Sequence, residues 1–381
     1  MISYLIATFI VLMIIVASFD VVPIFRDWLS RIGIGRFTDR NQWKNKLLKK
    51  GTAWLNKTPK MKVTDQTRLV ILDKLRGNYS KSTIQHWQEA ALILGLLKEM
   101  NNNQDNSVQR ELNQFLLRTF NPSGDWKKRP IHIDGAMLAY AAMKYDSEGK
   151  FKKAYDYMWT LIKDHIGEDQ TVGYRKSMID YRYVDTIGFI CPFLVCYGLR
   201  YGKAECVQLA VRQIKEFSHY GMLQKPFLPC HAYQISSKLP MGIYGWGRGL
   251  AWYAIGLLDT WLELPNDYSE KKEIGELLER LATSCKDLQK QDGSWGWVVT
   301  RSEARADSSV TAVMAWFLAN YRSGSHHADH QVKKALAYLQ AVTRKNGEVD
   351  FSQGDTKDIG VYSQLFNVMP FTQGFTIRAQ S

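Results

Sequence analysis

The sequence predicts an all-α fold, an (α/α)6 toroid of six helical hairpins preceded by an N-terminal transmembrane helix. Three observations predict it. First, beyond residue 63 apolar residues recur at spacings of three and four with few alternating runs, the period of helices and not of strands. Second, successive segments alternate in character: Gly135-Ala136-Met137-Leu138-Ala139-Tyr140-Ala141-Ala142 is small and apolar throughout, whereas Phe151-Lys152-Lys153-Ala154-Tyr155-Asp156 is amphipathic and charged. Inner helices buried on all sides and outer helices with one wet face produce this alternation. Third, Ile2 to Ser18 is an uninterrupted apolar run, extended after Asp20 by Val21-Val22-Pro23-Ile24-Phe25, about one bilayer crossing. An open solenoid is the alternative for tandem helix pairs, but no fixed-length repeat supports one.

In chain order, residues 1–25 read as the anchor. They lack the basic n-region and small-residue cleavage site of a secretory signal, so an uncleaved span is expected. Residues 26–62 carry eleven Lys or Arg against Asp27 and Asp39 and read as a basic juxtamembrane linker. The positive-inside rule then keeps the following domain in the cytoplasm, as a single-pass protein of the inner (cytoplasmic) membrane of a bacterial cell. Most of the formal net charge of +13 sits in this segment, which suits anionic headgroups and argues against nucleic acid as a partner. Residues 63–381 form the toroidal domain, with helices predicted near 66–77, 81–100, 106–119, 134–146, 150–164, 186–201, 203–219, 247–263, 269–290, 309–322 and 328–343 and a short one after Met369. The five cysteines, Cys191, Cys196, Cys206, Cys230 and Cys285, show no disulfide framework and no zinc spacing.

The inner helices of a toroid open into one funnel, so residues at their N-terminal mouths matter most. Asp134, in His132-Ile133-Asp134-Gly135, and Asp185, in Tyr183-Val184-Asp185-Thr186, each stand at such a mouth. Aspartate before a helix is a favoured N-cap, which is the structural reading of both. If instead they share a partly dry pocket, one of them is driven to hold a proton near neutrality, giving a proton donor beside a charged partner. That pair serves acid catalysis on a sugar, in glycosidic cleavage or in protonation of an enol ether. Gly245-Trp246-Gly247-Arg248-Gly249-Leu250-Ala251-Trp252 places two indoles and a guanidinium on a glycine-rich lip at another helix mouth, suited to a flat ring with a carboxylate. His231 lies in the connection leading to that lip. His326, His327, Asp329 and His330 resemble a metal cluster but follow Ser323-Gly324-Ser325 in a polar turn and read as solvated, so no metal site is expected. Gln291-Asp292-Gly293-Ser294-Trp295 is similar to turns of triterpene cyclases, yet no Asp-x-Asp-Asp acid motif accompanies it.

Over roughly residues 80–378 these motifs resemble glycoside hydrolase families 88 and 105, the unsaturated glucuronyl and rhamnogalacturonyl hydrolases. The family's Trp-x-Arg-Gly-x-x-Trp segment is matched by Trp246, Arg248, Gly249 and Trp252. Its Asp-Thr with a following Pro-Phe-Leu is matched by Asp185-Thr186 and Pro192-Phe193-Leu194, its second active-site aspartate by Asp134, its loop histidine by His231, and its early tryptophan by Trp87, where Gln88-Glu89 depart from the pattern. Asp307-Ser308-Ser309 with Ala312-Val313-Met314, and Gln373-Gly374-Phe375, are similar to later family segments. The resemblance implies the toroid and a hydration reaction in which an acid protonates the C4=C5 double bond of an unsaturated uronic residue, water adds at C5, and the hemiketal opens to release the aglycone. It implies Asp185 as proton donor and Asp134 as the group holding charge and substrate hydroxyls. Trp246 and Trp252 would stack on the ring, Arg248 or His231 would meet the uronate end, and Trp87 and His132 would be further substrate-binding residues. No metal or organic cofactor is needed.

An anchor and basic collar suit a tethered member acting in cell-surface or exopolysaccharide metabolism, with an oligo- or polysaccharide substrate and polysaccharide-synthesis proteins as partners. Two functional classes follow: a hydrolase of unsaturated or acidic saccharides, and a toroidal saccharide-binding scaffold that has lost turnover.

Overall fold

The computed structural model describes residues 1–61, 64–77, 85–103, 106–321 and 330–380. Apolar patterning at the helical period sets the elements. In chain order they are α1 (Ile2–Ser30), α2 (Arg40–Asn56), α3 (Val70–Leu75), α4 (Gln85–Asn103), α5 (Asn106–Thr119), α6 (Gly135–Tyr145) and α7 (Lys152–Lys163). They continue with α8 (Val184–Tyr201), α9 (Ala204–Tyr220), α10 (Gly247–Glu263), α11 (Lys271–Asp287), α12 (Ser308–Asn320), α13 (His330–Ala341) and α14 (Pro370–Gln380). The inner ring is α4, α6, α8, α10, α12 and α14, each packed on the next and α14 back on α4, so the barrel closes. In α6 every residue from Gly135 to Met143 is buried, as its uniform apolarity predicts. The outer α7 buries only the stripe Ala154, Tyr155, Met158, Trp159 and Ile162 and leaves its lysines in water.

Closure depends on helices that nearly touch. A methyl group on Gly95 or Gly374 would collide with the backbone of the facing helix where α4 meets α14, and one on Gly256 would collide with Ile187 where α10 meets α8.

Over its described residues, 26–61, the stretch read as a linker is not one, which corrects the sequence reading. Its first residues complete α1, and α2 packs on α4, α5 and α14 as the sixth outer helix. Trp43, Leu47, Gly51, Trp54 and Leu55 form a buried stripe at helical spacing, and the Trp43 indole donates to Thr343 Oγ1 at 2.9 Å. The lysines between them pair outward, Lys44 with Glu99 at 2.9 Å and Lys50 with Glu348 at 3.0 Å. The helix predicted near 66–77 is the short α3, which lies against α1 outside the ring.

Small antiparallel ladders build the mouth. β1 (Tyr181–Tyr183) pairs with β4 (Ala232–Gln234), and β4 with β5 (Pro240–Met241). β2 (Met222–Gln224) pairs with β3 (Phe227–Pro229), and β6 (Ser352–Gln353) with β7 (Phe366–Asn367). All five cysteines are buried free thiols.

Candidate active site

Both aspartates stand where the sequence places them, and neither is spent on capping. Asp134 occupies the N-cap position of α6, but its side chain makes no capping bond; Asp185 lies in the first turn of α8, whose N-cap is Tyr183. Asp134 is 2% exposed. Among the described residues, Asp134 Oδ1, Asp185 Oδ2 and His86 Nδ1 are buried polar atoms with no hydrogen-bond partner. Such orphans cost stability and mark places kept for something else.

Each aspartate faces a histidine. His86 Nδ1 lies 3.7 Å from Asp134 Oδ1, and His231 Nε2 lies 3.8 Å from Asp185 Oδ2. The β1–β4 ladder sets the second pair: Tyr183 registers with Ala232, and the Val184 N–H donates to the His231 carbonyl at 3.0 Å, so Asp185 and His231 leave the same ladder end together. The Gly360 N–H approaches His231 Nδ1 at 3.4 Å, which leaves the proton of a neutral imidazole on Nε2, directed at Asp185.

Electrostatics separate the two pairs. Burial lifts Asp185 to about 7, with the Arg248 charge opposing it. Burial, aided by Arg248, lowers His231 to about 4, so this ring is neutral at neutral pH. At His86 burial disfavours the charged form, but Asp134, helped by Glu89, outweighs it and holds the imidazole above its ordinary range. Asp355 is a third carboxyl of the site: burial raises it, Arg248 opposes, and the Asp134 charge adds to the rise. The Tyr174 hydroxyl is raised by burial and then by the charges of Asp134, Asp185 and Asp355.

The Gly245–Trp252 lip is a wall, not a set of projecting fingers. Gly245 has φ +77°, a turn conformation closed to most side chains, and Trp246 follows as the N-cap of α10. The Trp246 indole is 1% exposed; its N–H donates to Gln353 Oε1 at 3.0 Å, and His231 and Tyr362 lie against it at ring-centroid distances of 4.6 and 5.3 Å. Arg248, also buried, donates to the carbonyls of Gln353, at 2.5 Å, and Gly354. It therefore pins the loop bearing Asp355 while its charge acts on Asp185 and Asp355. Trp252 and Trp87 meet edge-to-face at 5.2 Å, and Phe371 packs on both. Their burial makes them the floor of the barrel, a correction to the stacking role expected of Trp252. His132 is exposed, whereas Ile133 and Asp134 beside it are buried. His326, His327 and Asp329 lie outside the described residues.

A family model described as Glycosyl Hydrolase Family 88 matches residues 60–378. The chain belongs to this family. It is a glycoside hydrolase, similar to the unsaturated glucuronyl hydrolases, and its toroid is shared by solved structures at low identity. A possible member of the GH105 family from Salmonella enterica serovar Paratyphi A superposes with a TM-score of 0.72 at 15% identity, over 90% of this chain and 94% of that one. An unsaturated glucuronyl hydrolase specific for heparin gives a TM-score of 0.62 at 16% identity, covering 88% and 95%. The unsaturated glucuronyl hydrolase of Bacillus sp. GL1 gives 0.61 at 14%, covering 89% and 95%. No curated protein matches at a significant level.

Several residues of this candidate site escaped the sequence reading. His86, adjacent to Trp87, faces Asp134; Asp355 sits in a loop far from any helix mouth; Tyr174, Tyr362 and Trp297 supply the partly exposed aromatic surface that the buried Trp246 and Trp252 do not. Arg175 is exposed, and its charge reaches Asp185 and Asp355. Helical periodicity is blind to loop residues. The one signal available for Arg175 was a Tyr-Arg pair ten residues before Asp185.

Proposed function

We propose that the chain hydrates the C4=C5 double bond of an unsaturated uronyl residue at the end of an acidic saccharide, with Asp185 as the acid. The observation that carries this reading is Asp185 itself: a partly buried carboxyl whose Oδ2 is enclosed and unbonded, lifted to about 7 beside a neutral histidine and two further carboxyls. A group that holds its proton near neutrality and has no hydrogen bond to break is suited to general acid catalysis.

The proton passes from Asp185 to C4, and positive charge develops at C5 and on the ring oxygen. Ionised Asp185 then takes a proton from the water that adds at C5, and the hemiketal opens to release the aglycone. The His231 Nε2–H is placed to stabilise the Asp185 carboxylate formed midway. Asp134, with His86 behind it, holds negative charge and substrate hydroxyls. Arg175 is the cation available to the uronate, because both nitrogens of Arg248 that donate hold the 353–354 backbone. Tyr174, Tyr362 and Trp297 offer ring faces for stacking.

The apolar helix α1 is long enough to cross a membrane and leaves Ile2 to Ile15 exposed, which supports a tethered enzyme. A tether suits work on cell-surface polysaccharide, and the cations near α1 suit a cytoplasmic placement of the domain. An alkaline phosphatase fusion after residue 62 tests the placement; high phosphatase activity would overturn it. Incubating the protein with unsaturated uronyl disaccharides while following loss of the double-bond absorbance tests the chemistry. Turnover is expected, and Asp185→Asn is expected to abolish it; binding without turnover in the unaltered chain would sink the proposal.

A further inference from the structure

The anchor helix is clamped to the toroid, not loosely joined to it. Ile2 to Phe19 spans roughly 27 Å at the helical rise, close to the hydrocarbon thickness of a bilayer. The polar boundary therefore falls at Asp20. There the Asp20 carboxylate accepts the Leu69 and Val70 N–H groups at 2.7 and 2.8 Å. Two turns further on, Asp27 accepts from Asn367 at 2.8 Å and pairs with Arg344 at 3.2 Å. Arg31 makes a fork of 2.8 and 3.1 Å with the buried Asp350. These bonds run from the boundary to the end of the helix, so the domain keeps one orientation over the bilayer.

The opposite side of the same stretch is apolar. Val21, Phe25, Trp28, Leu29 and Ile32 form a stripe 44–60% exposed, and Leu69, Leu72 and Leu75 beside α3 are 40–78% exposed. An outward apolar stripe with aromatics at the boundary of a span, flanked by Arg26, Arg36 and Lys74, matches the interfacial zone of an anionic bilayer.

Between the clamped helix and the site lies a cavity of about 380 Å³. Asp20 and Ile24 line its membrane-side wall, Met61 and Leu365 add apolar surface, and Gly354 and Asp355 form its inner wall. Those last two residues belong to the loop that Arg248 pins, so the cavity runs from the bilayer boundary to Asp355, one of the three carboxyls. Asp27, Arg31, Lys60 and Asp65 also line the cavity, but most of its wall is apolar, and a hydrated oligosaccharide arriving from bulk water gains little from such a passage along a membrane helix. An amphiphile does: its chain remains in lipid or on the apolar wall while its sugar reaches the carboxyls.

Resting on the hydrolase reading above, we propose that the substrate is an amphiphilic saccharide held in the same bilayer, and that the cavity between α1 and the 354–365 segment is the passage occupied by the lipid-proximal part of that molecule.

The test uses the full chain in phosphatidylglycerol-containing nanodiscs and compares an unsaturated uronyl dodecyl glycoside with the corresponding methyl glycoside. A few methylenes seated on the apolar wall make kcat/KM for the dodecyl glycoside roughly tenfold or more higher. Thr67→Trp and Ile24→Trp, exposed positions that both line the cavity, are expected to remove that advantage and to leave the methyl glycoside unchanged, which also reports that both variants fold. Equal kcat/KM for the two glycosides, or an advantage that survives both fillings, overturns the proposal. Equilibrium binding of the same pair to Asp185→Asn reads the passage without turnover. A Thr67-sensitive preference there, in a chain whose unaltered form turns over neither glycoside, would sink the hydrolase reading and leave the passage standing.

Discussion

The two ends of the barrel treat buried carboxylates in opposite ways, and α10 spans both. At its C-terminal end Asp259, 1% exposed, receives a fork from Arg378 at 2.7 and 2.9 Å, and Glu263 receives the Tyr140 hydroxyl at 2.8 Å and Lys144 at 2.6 Å. At its N-terminal end Asp134 and Asp185 keep oxygens without partners, and Arg248, whose charge acts on Asp185, donates to backbone carbonyls. Burial raises the proton affinity of Asp259 and of Asp185 alike, but the two are used differently: Asp259, answered by Arg378, ties helices together, whereas Asp185 keeps an oxygen unanswered and, in the reaction proposed above, gives up its proton. The orphaned end is costly to folding, and the paired end is one of the places where the fold is held against that cost.

The sharpest break of this contrast is at Asp185. Asp185→Asn keeps the shape and removes the transferable proton, with an expected loss of about 10³-fold in kcat on an unsaturated uronyl disaccharide, measured by double-bond absorbance. At the paired end the loss should be one of stability. Asp259→Ala strands Arg378 in the interior and is expected to cost about 3–5 kcal/mol in denaturant unfolding, with kcat of the folded fraction unchanged. A fall in kcat at that site would mean that the two ends are coupled.

A smaller effect reverses the usual sign. The folded pKa of Asp185 is raised to about 7, so the stability tied to its proton is present at acid pH and is lost as pH rises from about 4 to about 7. Asp185→Asn escapes that loss and is expected to be more stable than the unaltered chain by on the order of 2 kcal/mol at pH 8, the gain shrinking as pH falls. The same proton controls rate: kcat/KM should decline about tenfold per pH unit above the Asp185 pKa of about 7. A decline centred instead near pH 4, where His231 titrates, would move the acid to another group. Smallest of all, His132→Ala should change kcat/KM by less than about twofold, as expected for an exposed side chain.

Much of the molecule was legible before folding. The uniform apolarity of Gly135 to Met143 and of the segment after Gly249 marks inner helices, because only a helix enclosed on all sides tolerates no polar face. Asp134 and Asp185 stood out because a carboxylate at the mouth of such a helix must enter a shared funnel. Local pattern alone determined these features. It also favoured one reading too strongly: the lysines of Arg40–Asn56 concealed the stripe of Trp43, Leu47 and Trp54, so an outer wall of the barrel passed for a linker.

Tertiary structure decided the rest. Whether an indole stacks on a ligand or closes a core depends on what lies against both its faces, and for Trp246 and Trp252 those neighbours include Tyr362 and Phe371, more than a hundred positions away. Asp355 joins the site only because Arg248 grips the loop that carries it. The elevation of Asp185 arises from burial, with the charges of Arg248 and Asp355 acting on it, and none of these is a property of neighbouring sequence. Helix period and residue type are local and repeat along the chain. Solvent exclusion and the meeting of distant charges exist only once the ring has closed.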